Sequence, residues 1–493
     1  MKAVNPMILI QTGAQRPWRV APRTNRTGST CCGITTLGTR GATRHEWWQT
    51  AFVGRPRSGV STRWDNPTCP RARFFQDVPP PPLTLTPTGA RLGGESELPH
   101  GVAGVLHRRL PWELACWLPR YRRVLESKLV LRPTIHASQK WEHGSSFHWL
   151  HFDAMAECTP SPWRGPAVYA GSGRDAIRCL LTHGMARRGW RRVWVPSYFC
   201  QEVVSSMCST GIDVRQYPDN PLLPIPAQPG QMEPGDVFFV VNYFGLRSQP
   251  RLPETDGIEL VEDHTHDPWS HWAFNSPADY CIASLRKTLP VPDGAVLWSP
   301  RGKELPPAPA PTLRHQAAST ETLAAMLLKL LYLEGHRVDK NVFLELARQA
   351  ERNIAAGEIS GISPVSAAIL SNLPIASWRE QRGRNQQRLC VDLASASWAT
   401  VLSGDGDGSC PFTGMVVCDT AARCQHIRRG LIARDVYPAV LWPLEDPVLP
   451  GIPETDRALC ARLVAIHCDM RYSRDDMDKV AALLVKLGNA WHG

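Results

Sequence analysis

The chain has 493 residues, 43% of them hydrophobic, and a formal net charge of +10, which leaves room for two or three domains with sizeable cores. The positive charge is concentrated in residues 1–75, where many arginines face only Glu46 and Asp65; the remainder is near neutral, so the basic total does not indicate a nucleic-acid-binding body. The 15 cysteines are scattered with no C-x-x-C, as expected for reduced, mostly buried thiols in a cytoplasmic protein, and no apolar run reaches the ~18 residues of a membrane span.

Residues 1–104 are rich in Arg, Thr, Gly and Pro, end near the run Pro79–Pro82 and lack sustained periodicity. The expectation is disorder, or an upstream extension from a misassigned start. Residues 105–166 form an N-terminal helical segment, with a helix from Trp112 interrupted at Pro119. From Ala167 the pattern alternates between short apolar runs and helical periodicity. AVYA reads as a strand and GSGRDAIRCLLTHGMARRG as a turn and helix. RVWVPSY, DVRQY, DVFFVVNYFG, IELVED and GAVLWS read as further strands, with the helix CQEVVSSMCSTG among them. This alternation predicts βαβ units and a mostly parallel, doubly wound sheet in a large domain over 167–312. A helical connection over 313–374 carries TETLAAMLLKLLYLEG and NVFLELARQAERNIAAG. A smaller C-terminal α/β domain spans 375–493, with strands at GMVVCD and within ALCARLVAIHC, and DDMDKVAALLVKLG as its last helix.

Two apolar runs end in chemistry. IELVED stops at Asp263, and DYCIASLRK stops at Lys287. Buried parallel strands carry functional groups at their carboxyl ends, so the two side chains are predicted to meet at one sheet edge. A lysine amine condenses with a carbonyl to give a Schiff base, and pyridoxal 5'-phosphate is the commonest partner; its ring nitrogen needs a carboxylate to stay protonated. A phosphate also needs free backbone N–H groups at a helix start. Gly171-Ser172-Gly173-Arg174, just before the helical run from Asp175, provides them.

These residues carry a family resemblance. GSGRDA, VWVPSYFC, VEDHTH, SLRK and PDGA follow one another in order, with LIARDVYPAVLWP and AIHCDMRYSRDDMDKVAALL beyond them. Over the more than 300 residues from Ala167 the chain resembles the DegT/StrS-type aminotransferases, which include many sugar aminotransferases. The resemblance implies fold type I: a seven-stranded, mostly parallel sheet with a smaller C-terminal α/β domain. It implies an aminotransferase acting on a small-molecule amino donor and a keto acceptor such as a sugar, working as a homodimer. It places Lys287 as the Schiff-base lysine and Asp263 as the ring-nitrogen partner. His266 falls near the cofactor's phenolic oxygen, Ser284 adds a hydroxyl, and Phe199 is the stacking aromatic, with Cys200 the other register. Asn242, Tyr243, Arg471 and Tyr472 stand as substrate-side residues. The sequence departs from the family pattern at the lysine loop, which is shorter and has Arg286 where a threonine usually precedes the lysine.

The residues also bear on other readings. A degenerate member that binds without turnover stays open because of that loop. A sugar dehydratase is disfavoured, since a histidine replaces the lysine in such relatives. His264, His266, Asp267 and His271 suggest zinc chemistry, but alternate residues on an extended chain diverge and no second ligand group is evident, so no metal is expected. Asp405-Gly-Asp407-Gly-Ser409 begins like a calcium loop but has Cys410 and Val416 where Gly and Glu are required. There is no G-x-x-x-x-G-K-[ST] and no G-x-S-x-G.

Overall fold

The computed structural model describes residues 139–150, 163, 166–252, 256–404 and 408–491. The expectations for residues 1–104, for the helix from Trp112 and for residues 405–407 fall outside the described residues. Strand β1 (Ala167–Ala170) leads through a short turn into α1 (Gly173–Arg188), β2 (Arg192–Pro196), α2 (Gln201–Cys208) and β3 (Asp213–Tyr217). Then come β4 (Asp236–Val241), β5 (Glu259–Asp263), β6 (Tyr280–Ser284) and β7 (Ala295–Trp298).

These seven strands make one sheet in the order β1-β7-β6-β5-β4-β2-β3. Only β7 runs against its neighbours, pairing antiparallel with β6 and β1. This is the mixed, mostly parallel seven-stranded sheet expected from the sequence. The reason lies in the strands themselves. β4 (DVFFVV) and β6 (YCIAS) are buried at every position, as central strands covered on both faces must be, whereas β3 at the sheet edge keeps exposed positions. On one face Ile177, Leu180 and Leu181 of α1 and Val204 and Met207 of α2 pack against Val193, Val195 and Phe239. On the other, Ala283, Val296 and Trp298 pack against Met326, Ile369 and Ile375.

The chain continues through α3 (Leu313–Leu333), α4 (Lys340–Ala355), α5 (Pro364–Leu370) and α6 (Ile375–Leu393). A three-stranded antiparallel sheet follows, built from β8 (Ala399–Leu402), β9 (Gly414–Cys418) and β10 (Leu463–Ile466), in the order β10-β9-β8. α7 (Ala421–Ile432), α8 (Glu454–Arg462) and α9 (Arg474–Asn489) complete this part. Leu389 and Leu393 of α6 and Val480 and Leu484 of α9 cover the small sheet. β8 was not anticipated: its four residues, Ala-Thr-Val-Leu, are too short a run to stand out in the sequence, and none of them is fully buried. Among the described residues no helix is long and apolar enough to cross a membrane.

All the parallel strands, β1 included, point their carboxyl ends toward one edge of the large sheet. Gly171 and Ser172 follow β1, Phe199 follows β2, Asn242 follows β4, Asp263 ends β5 and Ser284 ends β6. That convergence makes the site.

Candidate active site

The turn after β1 is fixed before any side chain acts. The Gly171 N–H donates to the Ser360 carbonyl at 2.7 Å, and its own carbonyl accepts from the Gly294 N–H at 2.7 Å. A Cβ on Gly171 would lie 2.4 Å from the His315 ring, so glycine is required there. Ser172, in extended backbone, caps α1: its hydroxyl accepts from the Asp175 N–H at 3.2 Å and donates to the Asp175 carboxylate at 2.7 Å. The N–H groups of Gly173 and Arg174, at the first two helical positions, have no carbonyl within α1 to bond. A Cβ on Gly173 would meet Ser284 Cβ at 3.0 Å, so the helix start and the end of β6 approach at backbone range.

Lys287 closes a short 3-10 turn, Leu285–Lys287, directly after β6. The turn is pinned by the Leu285 N–H to the Gly294 carbonyl at 3.0 Å. Asp293 anchors the rest of the loop: fully buried, it accepts from His315 Nε2 (2.8 Å), the Ser319 hydroxyl (2.9 Å), and the Ser363 N–H (2.9 Å) and hydroxyl (2.6 Å). Burial and the neighbouring Arg286 charge push the Lys287 ammonium below its ordinary value. Asp263 is buried and its carboxyl lies above its ordinary value because of desolvation, although the Thr265 N–H donates to it at 2.8 Å and the Lys287 charge acts on it. His266 is buried among Phe412 and Trp442, with ring centroids 4.6 and 5.4 Å away. Its Nδ1 accepts the Phe244 N–H at 3.0 Å. Desolvation, and then the Lys287 charge, lower it to about 3, so it is neutral with its proton on Nε2.

One cavity of about 1130 Å³, mouth included, opens onto Ser172, Gly173, Arg174, Phe199, Asp263, His266, Ser284, Lys287 and Arg471. Gly171 lies behind this wall, locked by its backbone bonds. Asn242, Tyr243 and Tyr472 do not line it. The Tyr243 hydroxyl donates instead to the Tyr198 carbonyl at 2.7 Å, and Tyr472 stacks on His143 at 3.9 Å while its hydroxyl accepts from the Gly144 N–H. His264 turns away from the cavity toward Glu262, 3.1 Å distant. Glu262, His264 and Cys281 form a buried cluster with ligand-type atoms within 4.8 Å of one another. The Ser276 hydroxyl also donates to Glu262, at 2.6 Å, so the carboxylate already has partners without an ion.

Several residues in and just behind the cavity wall were not legible from spacing. Thr265 receives the Ser284 N–H at 3.0 Å and so ties the ends of β5 and β6 together. Glu202 and Glu351 bind Arg174 at 3.1 and 2.8 Å, and Glu351 also takes both terminal nitrogens of Arg286 at 2.6 and 2.8 Å. Burial alone would raise the Glu351 carboxyl, but Arg286 and Arg174 outweigh it and hold it well below the usual carboxylate range. The unusual arginine before the lysine is therefore one half of a buried charge bridge. On the opposite wall Arg471 is bidentate to Asp469 (2.7 and 2.8 Å), and its remaining terminal nitrogen donates to the Ser145 and Ser146 carbonyls at 3.1 and 3.0 Å. Arg382, from α6, completes that wall with His467.

No family model and no curated protein matches this chain. Solved structures similar to it include the aminotransferase TlmJ from Streptoalloteichus hindustanus, 16% identical, covering 66% of this chain and 86% of that one, with a TM-score of 0.43. DesV of S. venezuelae is 14% identical, covering 78% and 99%, with a TM-score of 0.45. A DegT DnrJ EryC1 StrS aminotransferase from Brucella abortus is 13% identical, covering 66% and 86%, with a TM-score of 0.41.

Proposed function

We propose that this chain is a pyridoxal-phosphate-dependent aminotransferase, moving an amino group from an amino acid to a keto acceptor, with a sugar acceptor suggested by the family resemblance. The observation that carries the reading is that Lys287, Asp263 and the N-terminus of α1 line one cavity. The residues fit the cofactor. The close approach of Gly173 to Ser284 leaves backbone N–H groups and a hydroxyl for a phosphate, without a Cβ in the way. Asp263 supplies a buried carboxylate for the ring nitrogen, and Lys287 the amine. Pyridoxal phosphate, when bound, supplies an electron sink beside the transferred nitrogen.

The chain's own residues supply the rest. A lowered ammonium value raises the share of neutral Lys287 amine, the form that attacks a carbonyl and takes a proton from carbon. The same amine then returns that proton one position away. Asp263 favours a positive charge beside it, because a cation relieves its buried carboxylate. His266, held neutral, offers only an Nε2–H donor to an oxygen. Phe199, Phe412 and Trp442 wall off water and keep these charges effective. The reading carries a homodimer with it, which sedimentation of the purified chain checks.

The test is reconstitution of the full-length chain with pyridoxal phosphate. The expected result is visible absorbance that Lys287→Ala abolishes and that an amino acid donor bleaches. Absorbance unchanged in Lys287→Ala would sink the assignment. A second reading, a protein that binds the cofactor without turnover, draws on one feature: Arg174 and Arg286 beside the cradle are already neutralised by Glu202 and Glu351. Lysine-dependent absorbance that no amine bleaches would favour it.

A further inference from the structure

We infer that Arg382 is the receptor for the carboxylate of the amino donor, an inference that rests on the aminotransferase reading. Four arginines line the cavity: Arg174, Arg286, Arg382 and Arg471. Three are matched by carboxylates, Arg174 by Glu202 and Glu351, Arg286 by Glu351, and Arg471 by Asp469. Arg471, the substrate-side residue suggested by the sequence, spends its remaining donor on the Ser145 and Ser146 carbonyls. Arg382 is different. It is 5% exposed, its Nη2 donates to the Thr288 carbonyl at 2.9 Å, and its buried Nε has no partner. Among the described residues no carboxylate forms an ion pair with it. Asp469 acts on it only through space, being bonded to Arg471. A buried guanidinium with no bonded counter-charge is costly, and its planar fork suits a carboxylate bound through two oxygens.

The anchor point selects the ligand class. Thr288 is the residue after Lys287, so the guanidinium is tied to the lysine turn itself. An α-amino acid bears its carboxylate on the same carbon as the nitrogen that is transferred. An anion bound at Arg382 therefore belongs close to the reacting carbon, where a donor carboxylate sits. The phosphate cradle at α1 is a separate set of groups, so Arg382 is not needed to hold the cofactor.

The experiment uses the full-length chain with pyridoxal phosphate, as wild type, Arg382→Gln and Arg382→Lys. Both variants are expected to keep the bound-cofactor absorbance of the wild type and to melt cooperatively, which shows that they fold. Bleaching is titrated with L-glutamate and L-alanine, and with the matching amines that lack the α-carboxylate. The expected result is a wild-type preference for the amino acids of about 10- to 100-fold, the scale of a charge-assisted hydrogen-bond pair. Arg382→Gln should lose that preference, with amino acid midpoints raised by the same factor, and Arg382→Lys should keep part of it. A wild-type midpoint in Arg382→Gln would overturn the inference. So would equal wild-type midpoints for amino acids and amines, a result that does not require either variant to fold. Melting shifts of the cofactor-free chain give a readout without turnover. An acetate or succinate shift lost in Arg382→Gln supports a carboxylate site. Loss of a pyrophosphate shift alone overturns it in favour of an acceptor phosphate. Wild type without lysine-dependent absorbance would reject the aminotransferase reading, while the acetate and succinate shifts would still decide whether Arg382 receives a carboxylate.

Discussion

The two ends of the cavity handle buried charge in opposite ways. At the cradle end, Arg174 and Arg286 share Glu351, with Glu202 on the rim, and the charges cancel within the protein. At the opposite wall, Asp469 is bonded to Arg471, while Arg382 bonds only the Thr288 carbonyl and forms no ion pair among the described residues, so one guanidinium more than the bonded carboxylate is left there. A closed charge set holds elements together: the Glu351 bridge joins α4 to the start of α1 and to the lysine turn. An open one waits for a ligand. The contrast assigns a scaffolding task to one end and a selecting task to the other.

The sharpest way to break the contrast is at Glu351. Glu351→Gln leaves the largely buried Arg286 guanidinium without an anion, and Arg174 with only the exposed Glu202. It is expected to destabilise the chain by about 3–5 kcal/mol, as breaking one partner of a buried ion pair does. The measurement is the urea midpoint at neutral pH, and a loss within error of zero would show that the bridge is not structural. The second change is at the other wall. Asp469→Asn should cost less, about 2–3 kcal/mol, because Arg471 keeps the Ser145 and Ser146 carbonyls as acceptors. It also releases Arg471. In the double variant Asp469→Asn with Arg382→Gln, the midpoint for an amino acid donor should return part-way to wild type. A midpoint as weak as that of Arg382→Gln alone would mean that the freed Arg471 does not reach the donor.

The sequence made some of this legible and not the rest, for a physical reason. Asp263 and Lys287 stand at the ends of buried strands, where an apolar run stops at a charge and the pattern marks the spot. Gly171 and Gly173 were visible because small residues before an amphipathic run signal a helix start. Glu351 and Arg382 lie within helices among other charged residues, and nothing local separates a charge turned inward, onto the Arg174–Arg286 pair or into the cavity, from a solvated one. Arg286 stood out as a departure from the family pattern, yet its partner is 65 residues away in α4 and only folding brings them together. Tyr243 and Tyr472 show the reverse error. Tyr243 follows a promising strand end and Tyr472 sits in a family-like segment, but their hydroxyls bond to backbone, and they buttress the wall from behind.

Acid separates the two ends a third time, with the smallest effect. His467 lines the far wall, and His143 sits behind it, its Nε2 2.7 Å from the His467 carbonyl. Desolvation lowers His143 to about 4 despite that bond; desolvation and then the Arg471 charge lower His467 to about 3. A histidine whose folded value lies below its unfolded value of about 6.5 takes its proton first in the unfolded chain. Stability is therefore intact above about pH 6.5 and is lost as the pH falls toward the folded value, by about 2 kcal/mol per group at pH 5. Glu351 behaves differently. Its folded value is depressed, so its contribution stays until the pH falls below the ordinary glutamate range of about 4.3. Between pH 7 and 5 the loss should thus come from the buried histidines, His143 and His467 at the far wall and His266 beside Phe412 and Trp442, and not from Glu351. Urea midpoints at those two pH values should converge in the His143→Gln and His467→Gln variants relative to wild type. Equal pH sensitivity in all three chains would mean that these histidines do not control the acid limb, and that the far wall is no more responsive to protons than the cradle end.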